Sequence, residues 1–264
     1  MTPIVKQIRS FRQISYLNTP SDLVIGHTTN KARINDSRVL HAKAYMKRGY
    51  VQKADINDHG HINEENDPYY AHSAYFAASE RNGTRRVIAT ARQIHDNGKD
   101  GHESFPTIKE LELYPDMKEA IMALDANKCV EISGLAKVSG ASSSAVMALY
   151  RSMWHHSLRR KHHVWLMACD LKAFERLKYL FGDALVRIGD DSYYMGSHVV
   201  PAMLEVHRSV DALMQESRTL NPLKRRMKRE LVRFFMTGLS IKFKHITKAA
   251  VPSREIIKAM EERI

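Results

Sequence analysis

Apolar and polar positions along this chain alternate in short blocks with two distinct periods. Residues 22–29 (DLVIGHTT) read as a short strand, after a turn signal at Asn18-Thr19-Pro20-Ser21. From Asn30 the apolar spacing changes to three and four, through Ile34, Val39, Leu40, Ala44 and Tyr45, and predicts a helix that stops near Gly49. Residues 55–68 are polar and turn-rich, hence a long loop. Two β-rich runs follow, 73–79 (SAYFAAS) and 86–95 (RVIATARQIH), on either side of Arg81-Asn82-Gly83-Thr84, whose Asn-Gly pair favours a tight hairpin turn. A loop at 96–106 and a short helix near 117–124 lead to a buried strand at 129–136 (CVEISGLA). The Gly/Ser turn at 138–144 (VSGASSS) precedes a helix with Val146, Leu149, Tyr150 and Met153 on one side. That helix closes on Arg159-Arg160-Lys161, cations suited to a helix C-terminus. Residues 164–168 form another strand. A helix carrying Leu171, Phe174, Leu177, Leu180 and Phe181 ends at Gly182. Two last strands, 184–188 and 193–206, are separated by Gly189-Asp190-Asp191.

Strands alternating with helices in this order predict an α/β fold: a mixed sheet flanked by helices, with one parallel crossover in its middle. Beyond residue 206 the pattern becomes helical and basic. The expected organisation is therefore a domain at 1–206 and a basic helical extension at 207–264.

Composition narrows the class. The 264 residues are 44% hydrophobic and 27% charged, which excludes wholesale disorder. No run of 18 apolar residues occurs, and residues 1–17 lack a secretory signal's apolar core. The two cysteines, Cys129 and Cys169, are too few for a disulfide scaffold and suit a reducing compartment, so a cytoplasmic location is expected. The net charge of +12 is uneven: residues 221–264 hold twelve Lys and Arg against four Glu. Such a patch attracts a polyanion, whether nucleic acid, an anionic membrane or an acidic protein. Within it Leu220, Leu223, Met227, Leu231, Phe234 and Phe235 share one helical face, and Lys224, Arg225, Lys228, Arg229 and Arg233 the other. This helix either packs on the domain with a solvated basic face or lies on an anionic surface. No zinc finger, recognition-helix pair or aromatic RNA-binding signature accompanies the charge, so nucleic acid is the least favoured partner.

Four segments together resemble the GNAT acyltransferase superfamily. They are most similar to its acyl-carrier-protein-dependent branch of long-chain N-acyl amino acid synthases, and distantly to acyl-homoserine-lactone autoinducer synthases. Arg38-Val39-Leu40-His41 through Gly49-Tyr50-Val51 resembles the first helix and its exit. Asp67-Pro68-Tyr69-Tyr70-Ala71-His72-Ser73 resembles the lead into the hairpin, and Arg86-Val87-Ile88-Ala89-Thr90-Ala91-Arg92 the hairpin's second strand. Val130-Glu131-Ile132-Ser133-Gly134-Leu135-Ala136 resembles the strand that carries the catalytic acid residue. The match spans residues 22–206 in order. It departs from the autoinducer pattern at Gly134 and His41, each in place of an Arg, and at Tyr70 in place of an Asp. The Gly-rich pyrophosphate loop of acetyl-CoA-type members is also missing after Ala136.

The resemblance implies a GNAT-like sheet and no tightly bound cofactor. It implies acyl-phosphopantetheine on acyl carrier protein as donor and an amino acid as acceptor. It places Glu131 as the base or amine orienter, with Ser133 on the same strand face. Arg92 would grip the acceptor carboxylate or pair with Glu131, and Asp67 and Tyr70 would complete the substrate network. Gly134, Leu135 and Ala136 would admit the pantetheine arm, with the Gly134 N–H as oxyanion donor. Ser142, Ser143 and Ser144 would either hold the phosphate at a helix start or cap that helix. An anionic membrane is a second partner suggested by the basic helix and a lipid product. Two rival functions remain: autoinducer synthesis from S-adenosylmethionine, and an inactive GNAT fold that binds nucleic acid or membrane.

Other features read as structural. Residues 55–66 imitate a calcium loop but carry Asn66 where a bidentate Glu is needed. His155-His156 and His162-His163 are adjacent pairs that do not share a helical face. Trp154 and Trp165 are core anchors, and Tyr179 is a core or surface residue.

Overall fold

The computed structural model describes residues 22–81, 85–214 and 222–237. Strands β1 (Leu23–Thr28), β2 (Ser73–Glu80), β3 (Val87–Ile94) and β4 (Cys129–Lys137) form an antiparallel run, each paired with the next. β5 (Val164–Cys169) lies parallel to β4, joined through a helix as the crossover rule requires. β8 (Ser197–Glu205) is antiparallel to β5 and carries β6 (Leu185–Arg187) on its other side, while β7 (Ser192–Tyr194) pairs with its first residues. The β4–β5 contact is the one parallel pair among the described strands.

Two sequence expectations change here. The run 193–206 is two strands, because the chain reverses at Met195 and Gly196, both with positive φ (47° and 77°). Gly196 supplies the left-handed residue a two-residue hairpin turn demands. The expected loop at 96–106 also ends on a short helix. The Asn82-Gly83-Thr84 turn and the turn at residues 18–21 lie outside the described residues.

The helices are α1 (Lys31–Lys47), α2 (Pro106–Glu110), α3 (Pro115–Met122), α4 (Ser143–Arg160), α5 (Leu171–Phe181), α6 (Arg208–Met214) and α7 (Pro222–Met236). Side-chain caps open three of them: Asn30 accepts the Arg33 N–H at 3.1 Å, Ser142 the Ser144 N–H at 3.1 Å, and Asp170 the Ala173 N–H at 2.9 Å. Trp154, Trp165, Leu149 and Phe181 fill one core. Phe105, Met117, Ile121, Leu166 and Met203 fill a second, and Ala42, Val51 and Ile62 form a small third cluster.

α7 belongs to the first core. Leu231, Phe234 and Phe235 are buried in it, the Phe235 carbonyl meets His155 Nε2 at 2.6 Å, and Arg151 sits 4.3 Å over the Phe234 ring. Leu231, Phe234 and Phe235 of its apolar face are therefore covered by protein, while Arg225, Arg226, Arg229, Glu230 and Arg233 are exposed. Leu220 and residues 238–264 lie outside the described residues. No described helix is long and apolar enough to cross a membrane.

A histidine cluster ties the C-terminal end of α4 to the sheet. His27 and His156 meet as tilted rings at 5.0 Å between centroids, His95 and His162 at 5.3 Å, and His156 and His162 at 6.2 Å. Burial, helped by neighbouring histidines and Arg160, lowers His95 and His156 to about 4 and His162 to about 3. These groups stay neutral when folded and titrate near 6.5 when unfolded, so below that pH the unfolded chain binds more protons. Their stabilising effect is complete above pH ~6.5 and drains away as pH falls toward 4. With solvent screening allowed for, each costs on the order of 1 kcal/mol per pH unit across that window. Thermal melts at pH 7.5, 6.0 and 5.0 should show a progressively falling Tm; an unchanged Tm at pH 5.0 would contradict this reading.

Candidate active site

The site begins where β4 and β5 part. They pair at Cys129–Val164, Val130–Trp165 and Glu131–Leu166, and then both strands continue without pairing to each other. A wedge opens beside residues 132–135, leaving β4 backbone groups on that edge without a neighbouring strand. β4 also bulges: three of its steps, Ser133 to Ala136, face two steps of β3, Thr90 to Arg92. Gly134 makes the bulge with φ at +62°. A Cβ there would stand at ordinary contact distance, 3.4 Å from Arg92 Cγ and 3.5 Å from His41 Cε1, so it is the backbone shape that favours glycine.

Glu131 is the last β4 residue before the wedge. It is 3% exposed, and its Oε2 accepts the Thr107 N–H at 2.8 Å. Thr107 comes from α2, started by Pro106, whose ring suits a first helical turn. Burial raises the Glu131 carboxyl from 4.5 to about 7, against the pull of Thr107 and Arg92. Such a carboxyl divides its time between acid and base near neutral pH, as proton transfer requires.

The same sheet face carries an ion pair. Tyr75, Arg92 and Ser133 lie opposite one another across β2, β3 and β4. Arg92 Nη1 donates to both carboxylate oxygens of Asp67 at 2.8 Å, and both side chains are about 5% exposed. The pair props the Gly134 bulge from below, through the Arg92 Cγ and Cδ atoms.

Around these groups lies a cavity of about 230 Å³. Glu131, Ser133, Gly134 and Leu135 line it from β4, Met167, Ala168 and Cys169 from β5, Asp170 from the cap of α5, His41 and Tyr45 from α1, and Arg48 from just past the end of α1. Five tyrosines face it: Tyr45, Tyr50, Tyr69, Tyr150 and Tyr194. Burial raises the hydroxyls of Tyr69 (to about 12), Tyr150 and Tyr194, so they are neutral hydrogen-bonding groups. The β7–β8 turn closes one side, bringing Met195 into the wall and Gly196 against the carbonyl of Gly49, where a Cβ would stand at 3.1 Å.

Of the residues singled out from sequence, Glu131, Arg92, Ser133, Gly134, Leu135 and Asp67 meet in this cavity. Arg92 is engaged by Asp67 within it. Tyr70 is directed elsewhere: its hydroxyl donates to Glu64 at 2.8 Å and Arg38 lies 4.3 Å over its ring, while the neighbouring Tyr69 lines the cavity. Ala136 pairs with Thr90 beyond the bulge and is not in the wall. Ser142, Ser143 and Ser144 do not line it either, and Ser142 caps α4, its Oγ 2.7 Å from that of Ser144. Tyr179 is exposed on α5. Sequence reasoning missed Thr107, Tyr69 and the β7–β8 turn; Pro106 and Gly196 were the available signals. Among the described residues no group of three or more His, Cys, Asp or Glu is placed to hold a metal ion.

No family model matches the chain, and no curated protein matches it in sequence. Solved structures do match in shape. FeeM, an N-acyl amino acid synthase from uncultured soil microbes, aligns with a TM-score of 0.54 at 14% identity, over 72% of this chain and 94% of its own. The fold is that of the GNAT-like synthases. BjaI, a CoA-dependent acyl-homoserine lactone synthase, aligns with a TM-score of 0.54 at 11% identity over 86% of this chain and 98% of its own. The acyl-homoserine lactone synthase LasI gives 0.50 at 15%, over 70% and 89%. At these identities the likeness is one of fold, and the chemistry of this chain rests on its own residues.

Proposed function

We propose that this chain is an N-acyltransferase that moves a long-chain acyl group from the thioester of acyl carrier protein to the amine of an amino acid. One observation carries the reading: Glu131, a buried carboxyl raised to about 7, stands where β4 and β5 separate, beside a cavity that we assign to the acyl thioester. In the reaction a neutral amine nitrogen attacks the thioester carbon and the carbonyl electrons move to oxygen. Glu131 takes the proton that the nitrogen sheds. Collapse breaks the C–S bond, and the departing thiolate takes up a proton, which restores the Glu131 carboxylate.

The fold neighbours support an acyl thioester donor and leave its carrier to experiment. FeeM is an N-acyl amino acid synthase, whereas BjaI is CoA-dependent. The amino acid carboxylate would meet Arg48, which lines the cavity, because Arg92 Nη1 is engaged by both oxygens of Asp67. An anionic membrane facing the exposed arginines of α7 is a further element of this reading, since the product would be a lipid. The test incubates purified protein with pooled amino acids and either long-chain acyl carrier protein or acyl-CoA, with S-adenosylmethionine in parallel. Mass spectrometry should find an N-acyl amino acid without S-adenosylmethionine. A product formed only when S-adenosylmethionine is present would move the chain to autoinducer synthesis.

A further inference from the structure

α1 places a histidine against the β4 bulge that the proposed reaction has not yet used. His41 is 5% exposed and lines the cavity. Its Nε2 is buried without a hydrogen-bond partner, although leaving such a group unsatisfied is costly. Tyr45 meets the ring edge-on at 4.0 Å between centroids, and the ring's Cε1 lies beside the bulge, 3.5 Å from where a Gly134 Cβ would be. It is also neutral. Burial holds its pKa well below 6.5, and the charges of Arg92 and Arg38 add to the effect.

This setting favours one role over another. A base would need to accept a proton, and two guanidinium groups nearby oppose an imidazolium. The same positive surroundings favour negative charge developing beside the ring, which is what the thioester oxygen does on attack. A buried Nε2 that no protein group satisfies, facing the cavity beside the Gly134 bulge, is suited to donating to a charge that exists only in the transition state.

We propose that neutral His41 donates a hydrogen bond from Nε2 to the oxyanion of the tetrahedral intermediate, on the α1 side of the cleft. The inference rests on the acyl-transfer reading above and assigns a group within the same site. It makes His41→Phe, which keeps a ring but loses the donor, about 10²-fold slower in kcat and kcat/KM alike, with KM unchanged. His41→Gln sets an amide N–H near the Nε2 position and should stay within about tenfold of the parent. In both variants the acid limb of the pH–rate profile should remain where the parent has it, because His41 does not titrate in that range.

Three measurements decide the assignment. Steady-state kinetics of both variants, with thermal melts to establish folding, come first. A His41→Phe enzyme with parental kcat, or one impaired through KM alone, overturns the proposal. A displaced or missing acid limb in His41→Gln overturns it too, by making His41 the base. If His41→Phe does not fold, His41→Asn serves, because its amide reaches no farther than Nδ1 and should show the same loss. Finally, nitrogen NMR of the parent at pH 7 reads the ring directly and needs no turnover. A neutral ring protonated at Nε2 is expected; an imidazolium, or the tautomer with Nε2 bare, overturns the proposal. A parent that acylates no amine removes the acyl-transfer reading and this role with it, whereas an active parent with a fully active His41→Phe removes His41 alone.

Discussion

Glu131→Gln should reduce kcat for acyl transfer by about 10²–10⁴-fold at pH 7.5, with little change in KM. Glutamine keeps the volume and can still accept the Thr107 N–H, so the loss isolates the proton-accepting function. Stability should move the other way. A buried carboxyl raised from 4.5 to about 7 favours the folded state only while protonated; its contribution is complete below pH ~4.5 and is lost as pH rises through about 7. The glutamine variant should accordingly melt at least as high as the parent at pH 8. Parental turnover in a folded Glu131→Gln enzyme would remove Glu131 from the mechanism.

The second large effect concerns the prop beneath the bulge. Asp67→Ala removes the carboxylate that pairs the buried Arg92 guanidinium and should destabilise the fold by about 3–5 kcal/mol. For a domain of this size that corresponds to a Tm lower by about 10 °C. Removing both charges together, as Asp67→Leu with Arg92→Met, should recover much of the loss, because an apolar pair satisfies a buried site nearly as well as an ion pair. Differential scanning calorimetry of the single and double variants reads both. A single variant as stable as the parent would mean that water reaches Arg92 and that the pair carries no structural load.

Much of this site was legible along the chain because its key residues break local patterns. Glu131 is a carboxylate inside an apolar strand, Gly134 is a glycine three residues on, and Asn30 and Ser142 stand where helices start. Strand alternation placed Glu131 and Ser133 on one face, and it holds until the bulge at Gly134 shifts the phase. What escaped notice lacks a period long enough to read. α2 has five residues, fewer than two helical turns, yet it delivers the Thr107 N–H to Glu131. Tyr69 and Tyr70 sit at the start of a single 3₁₀ turn, Tyr70–His72, where neither alternation nor helical spacing tells which ring turns inward. The β7–β8 reversal hid within a run of strand-forming residues, with Gly196 as its one mark. α7 shows the opposite case. Its amphipathic pattern is plain in sequence, but only the packing of Phe235 against Trp154 and Phe181 reveals that this end of the apolar face is already covered.

The central claim is that Glu131, held near neutrality by burial, is the proton acceptor of an acyl transfer in the β4–β5 wedge. The pH dependence of the single-turnover rate tests it most directly, measured with preloaded acyl donor and saturating amine so that binding and product release drop out. The account predicts a rate that rises with pH through one ionisation near 7 in the parent, and a low rate lacking that ionisation in Glu131→Gln. An ionisation near 7 that persists in Glu131→Gln would contradict it, and would assign the proton transfer to another group.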